Sequence, residues 1–216
     1  MEQNKKICVE QVSEEWFKDN ISENKNKFYL VFKLAIDMFF GCAGFIFFIL
    51  LFPITAVLIK IDSNGNILYK QERIGKNGKK FILYKFRTMT ENGREYKDFW
   101  REKNKENITY IGSILRKTHL DEIPQAINLL KRDLSFIGPR PEWIRLADIF
   151  EKEIPYYKYR YIVMPGIIGW AQINFPASKS VTEAKEKFEY DLYYIKNQSF
   201  LLDLEIILKS FKLFFQ

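Results

Sequence analysis

The residues best suited to chemistry lie in the run Arg116-Lys117-Thr118-His119-Leu120-Asp121-Glu122-Ile123-Pro124-Gln125. Proline is excluded from a helix interior but tolerated in the first turn, where backbone N–H groups lack intrahelical partners. A helix is therefore expected to start close to Asp121. Asp121 and Glu122 then sit at the positive end of a helix dipole, which favours their ionised forms. Adjacent ionised carboxylates suit a divalent cation such as Mg²⁺, and one of them could serve as a nucleophile. The structural alternative is that Asp121 is an N-cap and Glu122 a first-turn acid.

Cations crowd the neighbouring sequence: Lys85 and Arg87 in YKFRTM, Arg116, and Lys131 with Arg132. In Gly138-Pro139-Arg140-Pro141 two prolines stiffen the backbone around one arginine. That stiffness lowers the entropy lost when a guanidinium clamps a phosphate in bidentate fashion. A solvated charged face is the competing interpretation. Pro165-Gly166-Ile167-Ile168-Gly169-Trp170 is either a loop that lets a phosphate approach its backbone or a core turn anchored by Trp170. Glu189 and Asp191 are candidate supporting polar groups or exposed helix charges. The tyrosines from Tyr156 to Tyr161 could stack bases, or they could pack at an interface or in the core.

These residues need elements to hold them. Residues 67–69 and 81–84 alternate as two strands around the turn residues 75–79, so a β-hairpin is expected. Residues 91–107 are strongly charged and read as a solvated helix or mobile loop. In residues 114–130, Leu120, Ile123, Ile127 and Leu130 recur at helical spacing. Residues 200–215 are apolar at most positions, with Asp203, Glu205, Lys209 and Lys212 charged, as expected of a helix packed on the core or lying in a bilayer interface.

Residues 38–59 carry no charge over 22 positions. A straight helix of that length reaches roughly 33 Å, enough to cross the ~30 Å hydrocarbon core. Pro53 leaves an arm, residues 38–52, of about 22 Å, which is too short. Lys25, Lys27 and Lys33 precede the segment, and residues 60–87 hold eight basic and two acidic side chains. By the positive-inside rule both flanks belong on the cytoplasmic side. A segment that enters, breaks at Pro53 and leaves by the same face satisfies length, proline and charge; a kinked single-pass helix is the alternative.

With 216 residues the chain has room for one domain, and 47% hydrophobic residues exclude wholesale disorder. The mean hydropathy of −0.23 conceals the uncharged block. A net charge of +7 suits nucleic acid, anionic lipid or phosphorylated substrates, and alone does not choose among them. Cys8 and Cys42 are too few for a disulfide framework, and the single His119 excludes a His-rich metal site. The first 33 residues balance six basic against six acidic side chains and lack the pattern of a cleavable signal.

Taken in order, the block broken by Pro53, KQERIG, YKFRTM, LRKTHLDEIPQAINLLKRDLSFIGPRPE, PGIIGWAQIN and YYIKNQSFLLDLEI resemble the bacterial sugar transferase family, the monotopic polyprenol-phosphate phosphoglycosyl transferases. The resemblance covers residues 33–216. It implies an α+β, helix-rich monotopic membrane protein with a re-entrant helix-break-helix segment, a small β-hairpin and interfacial amphipathic helices. The organisation that follows is an N-terminal extension over residues 1–32, a re-entrant helix over 33–60 broken at Pro53, and a cytoplasmic-face catalytic domain over 61–216. Trp16 and Phe17 of the extension are candidates for an interfacial helix.

The activity implied is transfer of a sugar 1-phosphate from a UDP-sugar to a polyprenol phosphate, with release of UMP, to initiate a capsule, O-chain or glycoprotein glycan at the bacterial inner membrane. Asp121 matches the family nucleophile and Glu122 its acidic partner, with Mg²⁺ offsetting diphosphate charge. Arg87, Arg116 and Arg140 match phosphate-binding positions, with Lys85 beside them. Membrane lipid is the implied surface, and a homodimer is compatible with the sequence.

The chain departs from the family at Phe52, where serine is frequent, and at Lys33-Leu34, where two basic residues are usual. It departs again at Phe175-Pro176, where Gly-Arg is common; Lys179 is the candidate replacement there. Two rival classes are a membrane-anchored scaffold without catalysis and a nucleic-acid binder. The second leaves the uncharged block unexplained, and no nucleic-acid partner is expected.

Overall fold

The computed structural model describes residues 5–21, 27–90, 107–175, 178 and 180–214, with side chains to residue 211. Most of the charged stretch 91–107, and Lys25, Pro176 and Lys179, fall outside these. The architecture is helix-rich with two small sheets. The chain divides into two compact units, one of residues 1–37, 73–81 and 133–216, the other of residues 38–72 and 82–132.

The second unit is built on the long helix α2, Lys27–Asp62, of which residues 38–62 belong to it. The helix is long and apolar enough to cross a membrane and mostly unburied, as expected of a membrane protein. It runs through Pro53 and does not end there, and it begins six residues before the expected start at residue 33. A proline inside a helix costs about 3 kcal/mol through a lost hydrogen bond and a clash with the preceding turn, which packing on both sides offsets. Phe48 and Phe52 lie against Phe86, and Ile59 joins the same apolar cluster with Leu115. Along one face, Gly41 meets Leu130, Gly44 meets Ala126, and Asp62 accepts the Ile111 N–H at 2.8 Å. Ile46, Leu50, Ile54, Val57 and Ile61 are left exposed.

The expected hairpin is present and longer than its sequence signal: β1, Leu68–Ile74, pairs with β2, Lys80–Phe86, through a short 3₁₀ turn at Lys76–Gly78. Beyond it come α3, Tyr110–Lys117, a 3₁₀ helix, Leu120–Gln125, and α4, Ala126–Leu130. Leu120, Ile123 and Ile127 of the helical repeat pack on the α2–β2 cluster.

In the first unit β3, Ser135–Ile137, and β4, Gly166–Ile168, pair in parallel, Ser135 opposite Gly166 and Ile137 opposite Ile168. PGIIGW thus packs in the core, but as a strand and not a turn: a Cβ at Gly166 would stand 2.1 Å from the Gly138 nitrogen, so only glycine fits. Beyond α5, Ile144–Glu153, Trp170 is buried at the start of α6, Trp170–Asn174, and packs with α7, Val181–Asn197, and α8, Phe200–Phe214. One face of α8 places Leu202 and Ile206 in this core and leaves Leu201, Leu204, Leu208 and Phe211 exposed.

The N-terminal part of α2 is pegged to this unit by polar groups. Lys33 donates to Ile137 O at 2.8 Å, to the Tyr194 hydroxyl at 3.0 Å and to Asp203 at 3.1 Å. Asp37 accepts from Ser135 Oγ at 2.9 Å and from the Phe136 N–H at 2.7 Å. The extension packs here too: α1, Glu14–Asn20, buries Phe17 against Tyr159. Phe17 therefore faces the protein and not a bilayer interface. Glu189 is buried as well, taking the Val9 N–H at 3.2 Å and Lys6 at 3.2 Å.

Candidate active site

The dyad stands on a strained approach. His119 adopts a left-handed conformation, φ 54°, and caps the 3₁₀ helix in which Asp121 and Glu122 form the first turn. The expected start near Asp121 is therefore present, but the turn is 3₁₀, α geometry begins only at Ala126, and the cap is His119, not Asp121. A non-glycine residue at positive φ is uncommon and costs about 1–3 kcal/mol, a strain that concentrates at functional sites. No sequence signal marks it.

Asp121 is 9% exposed. Burial pushes its carboxyl above the usual aspartate range; Lys85 opposes the rise, Glu122 adds to it, and Arg116 and His119 pull it down. Lys85, on β2, forms an ion pair with Glu122 at 2.5 Å. Arg116, exposed on the last turn of α3, donates from Nε to the Thr88 hydroxyl at 2.8 Å. This placement depends on Gly112, where a Cβ would lie 2.2 Å from the Thr88 carbonyl oxygen. Asp121, Glu122, Lys85 and Arg116 thus come together in one unit.

Arg87 belongs to the same unit but faces another way. It is 2% exposed, and its guanidinium donates to Asn64 O and Ser63 O, each at 2.6 Å, and to Ser63 Oγ at 3.0 Å. These groups directly follow the C-terminus of α2, where a cation also meets the negative end of the helix dipole. Pro53 lies within α2 of this unit.

Arg140 belongs to the other unit, in the loop after β3. There it joins an ionic cluster that sequence reasoning did not assemble. Arg160 binds Asp191 at 2.6 Å and Glu142 at 3.2 Å, and Lys187 lies 3.8 Å from Glu142. Burial pushes the Glu142 carboxyl up, yet Lys187, Arg160, Arg73 and Arg140 outweigh burial and hold it below the usual range. Burial wins at Asp191 and raises its carboxyl. Asp191 is thus a buried partner and not an exposed helix charge.

Among the described residues no three His, Cys, Asp or Glu side chains gather as a metal site. Two adjacent carboxylates, one shared with a lysine, fit a Mg²⁺ that takes its remaining ligands from phosphate oxygens and water.

A buried carboxylate beside cations can attack an electrophile that arrives as a polyanion. Among curated relatives, the UDP-N-acetylgalactosamine-undecaprenyl-phosphate N-acetylgalactosaminephosphotransferase of Aeromonas hydrophila is 38% identical over 90% of this chain and 47% of its own length. The exopolysaccharide production protein PSS of Rhizobium leguminosarum bv. phaseoli is 36% identical, covering 82% of this chain and 92% of the relative. The UDP-glucose:undecaprenyl-phosphate glucose-1-phosphate transferase of Xanthomonas campestris pv. campestris is 38% identical over 70% of this chain and 32% of the relative. The chain therefore spans about half the length of the Aeromonas relative and about a third of the Xanthomonas one. The family model described as bacterial sugar transferase matches residues 28–216, from the first turn of α2 onward and including every residue of the dyad and its cationic surround. By that match and these identities, the chain belongs to the bacterial sugar transferase family.

Proposed function

We propose that this chain transfers a sugar 1-phosphate from a UDP-sugar to a polyprenol phosphate, with Asp121 as the nucleophile. The activities for which the Aeromonas and Xanthomonas relatives are named support the donor and acceptor classes. The observation that carries the proposal is the Asp121 carboxyl, largely buried and set among Glu122, Lys85 and Arg116. A poorly hydrated carboxylate is a stronger nucleophile than one in water, and the cations draw in the diphosphate.

The Asp121 carboxylate oxygen attacks the β-phosphorus, the bond from that phosphorus to the bridging oxygen breaks, and UMP leaves with the electron pair. An oxygen of polyprenol phosphate then attacks the same phosphorus, restoring the carboxylate and forming the polyprenyl diphosphate sugar. Splitting the transfer means the two polyanions never need to be bound together. Lys85 holds Glu122 in place, and Arg116 presents its guanidinium toward solvent beside the dyad. Mg²⁺ held by Asp121 and Glu122 would supply neutralisation of diphosphate charge.

The proposal includes a re-entrant placement of α2, with the catalytic unit on the cytoplasmic face. Contacts made by both arms of α2 with one small unit support it: Gly41 and Gly44 before Pro53 meet α4, while Ile59 and Asp62 after it meet β2 and α3. A helix crossing the bilayer would carry one arm away from that unit.

The test is UMP release by purified protein given UDP-sugar, Mg²⁺ and polyprenol phosphate. Asp121→Asn is expected to reduce the rate by at least about 10³-fold, since the nucleophile is lost. Robust UMP release by that variant would remove Asp121 from the role, and a wild-type protein silent across a panel of UDP-sugars would leave the scaffold class in its place.

A further inference from the structure

Gln125 has taken no part in the chemistry so far, yet it carries an unpaired buried polar atom within the same 3₁₀ helix as the dyad. It is 3% exposed, and its Nε2 is buried with no hydrogen-bond partner among the described residues. Asn128, three positions on, shows how a buried amide is ordinarily kept. It is 0% exposed, donates to Ile82 O at 2.7 Å and accepts the Tyr84 N–H at 3.2 Å. Asn128 ties α4 to β2 and is structural. An unpaired buried donor destabilises the fold, and a methionine would fill the same volume without that cost.

Position indicates what the amide is kept for. Gln125 ends the 3₁₀ helix Leu120–Gln125, in which residues three apart eclipse, so it shares a face with Glu122. Glu122 carries the Lys85 ammonium, and Asp121 precedes it in the same turn. We propose that Gln125 is a substrate-contacting residue whose carboxamide donates a hydrogen bond to a phosphoryl oxygen of the group being transferred. The assignment rests on the transferase function proposed above.

The chemistry favours an amide here over another cation. Attack at phosphorus spreads charge over the equatorial oxygens, and a fixed donor in a water-poor site stabilises that charge. A lysine or arginine in this place would compete with Lys85 for the Glu122 carboxylate whose face it shares. A neutral amide leaves that ion pair intact. The donor is then satisfied only when substrate is bound, which is why it stands unpaired in the free chain.

The experiment uses the full chain with Gln125→Met, measuring thermal unfolding alongside UMP release from a UDP-sugar, with and without polyprenol phosphate. The expected result is an unfolding temperature equal to or a few degrees above wild type. The rate of UMP release is expected to fall 10- to 100-fold in both assays. Gln125→Asn, which keeps the donor one methylene short, should lose less activity. Unchanged rates in the Met variant overturn the assignment, as does a fall in unfolding temperature that accompanies the loss of rate. If wild type releases no UMP from any UDP-sugar, the transferase function fails and the assignment with it; an active wild type beside an equally active Met variant defeats the assignment alone.

Discussion

Arg87 and Arg116 flank Thr88 and use the same charge in opposite ways. Arg87 turns inward to the carbonyls that end α2, while Arg116 anchors only its Nε and stays exposed. Arg87→Ala is expected to cost about 3 kcal/mol, because the buried guanidinium and its charge-assisted hydrogen bonds to the end of α2 are lost. A drop in unfolding temperature would register it. Arg116→Ala should stay within about 0.5 kcal/mol of wild type in stability, with the effect falling on KM for the UDP-sugar. Equal losses of stability in the two variants would contradict this division. The residue types at the site were legible in the sequence, as was the clustering of cations around the dyad. Direction was not: what Arg87 grips lies 23 and 24 positions away, at Asn64 and Ser63. Gln125 was passed over because an unmet hydrogen bond leaves no trace in composition or spacing.

At the scale of elements, α2 organises what surrounds it. Its apolar block and its proline were plain in the sequence. The continuation of helix through Pro53 was not, because the side chains that hold both arms, Phe86 and Leu115 among them, come from later elements. The hairpin was legible from alternation and turn residues, whereas the β3–β4 pair was hidden inside two proline- and glycine-rich motifs of three strand residues each. The re-entrant placement makes a sharp expectation. With Cys8 and Cys42 replaced by serine, single cysteines introduced at Glu14 and Asn64 should both resist an impermeant thiol reagent in intact spheroplasts. Both should react once the membrane is opened. Labelling of one position before permeabilisation would mean that α2 crosses the bilayer.

The molecule as a whole is two units, neither of them one continuous stretch of chain. The unit with Arg140 is held by the buried ions Arg160, Glu142 and Asp191, which gives its stability a pH signature. A carboxyl whose folded pKa is depressed contributes stability above its ordinary value and loses it as pH falls through the folded value. Glu142 is such a group. Glu142→Gln should therefore unfold at a lower temperature than wild type at pH 7, and the gap should close as pH falls below the usual glutamate range, about 4.3. A gap independent of pH would show that packing, and not charge, is what Glu142 supplies. The peg at Lys33 also fixes an order of events during synthesis. The unit bearing Asp121 is complete in the chain by residue 132, while Lys33 must wait for Asp203, 170 residues later. At roughly 5–20 residues per second, that interval is on the order of ten seconds or more. During it, α2 carries Lys33 without Tyr194 and Asp203, and Asp37 stands alone until Ser135 and Phe136 are made. The apolar remainder of α2 is already able to meet lipid, so the nascent chain can be seated at the membrane, dyad formed, before the unit that ends at residue 216 is complete.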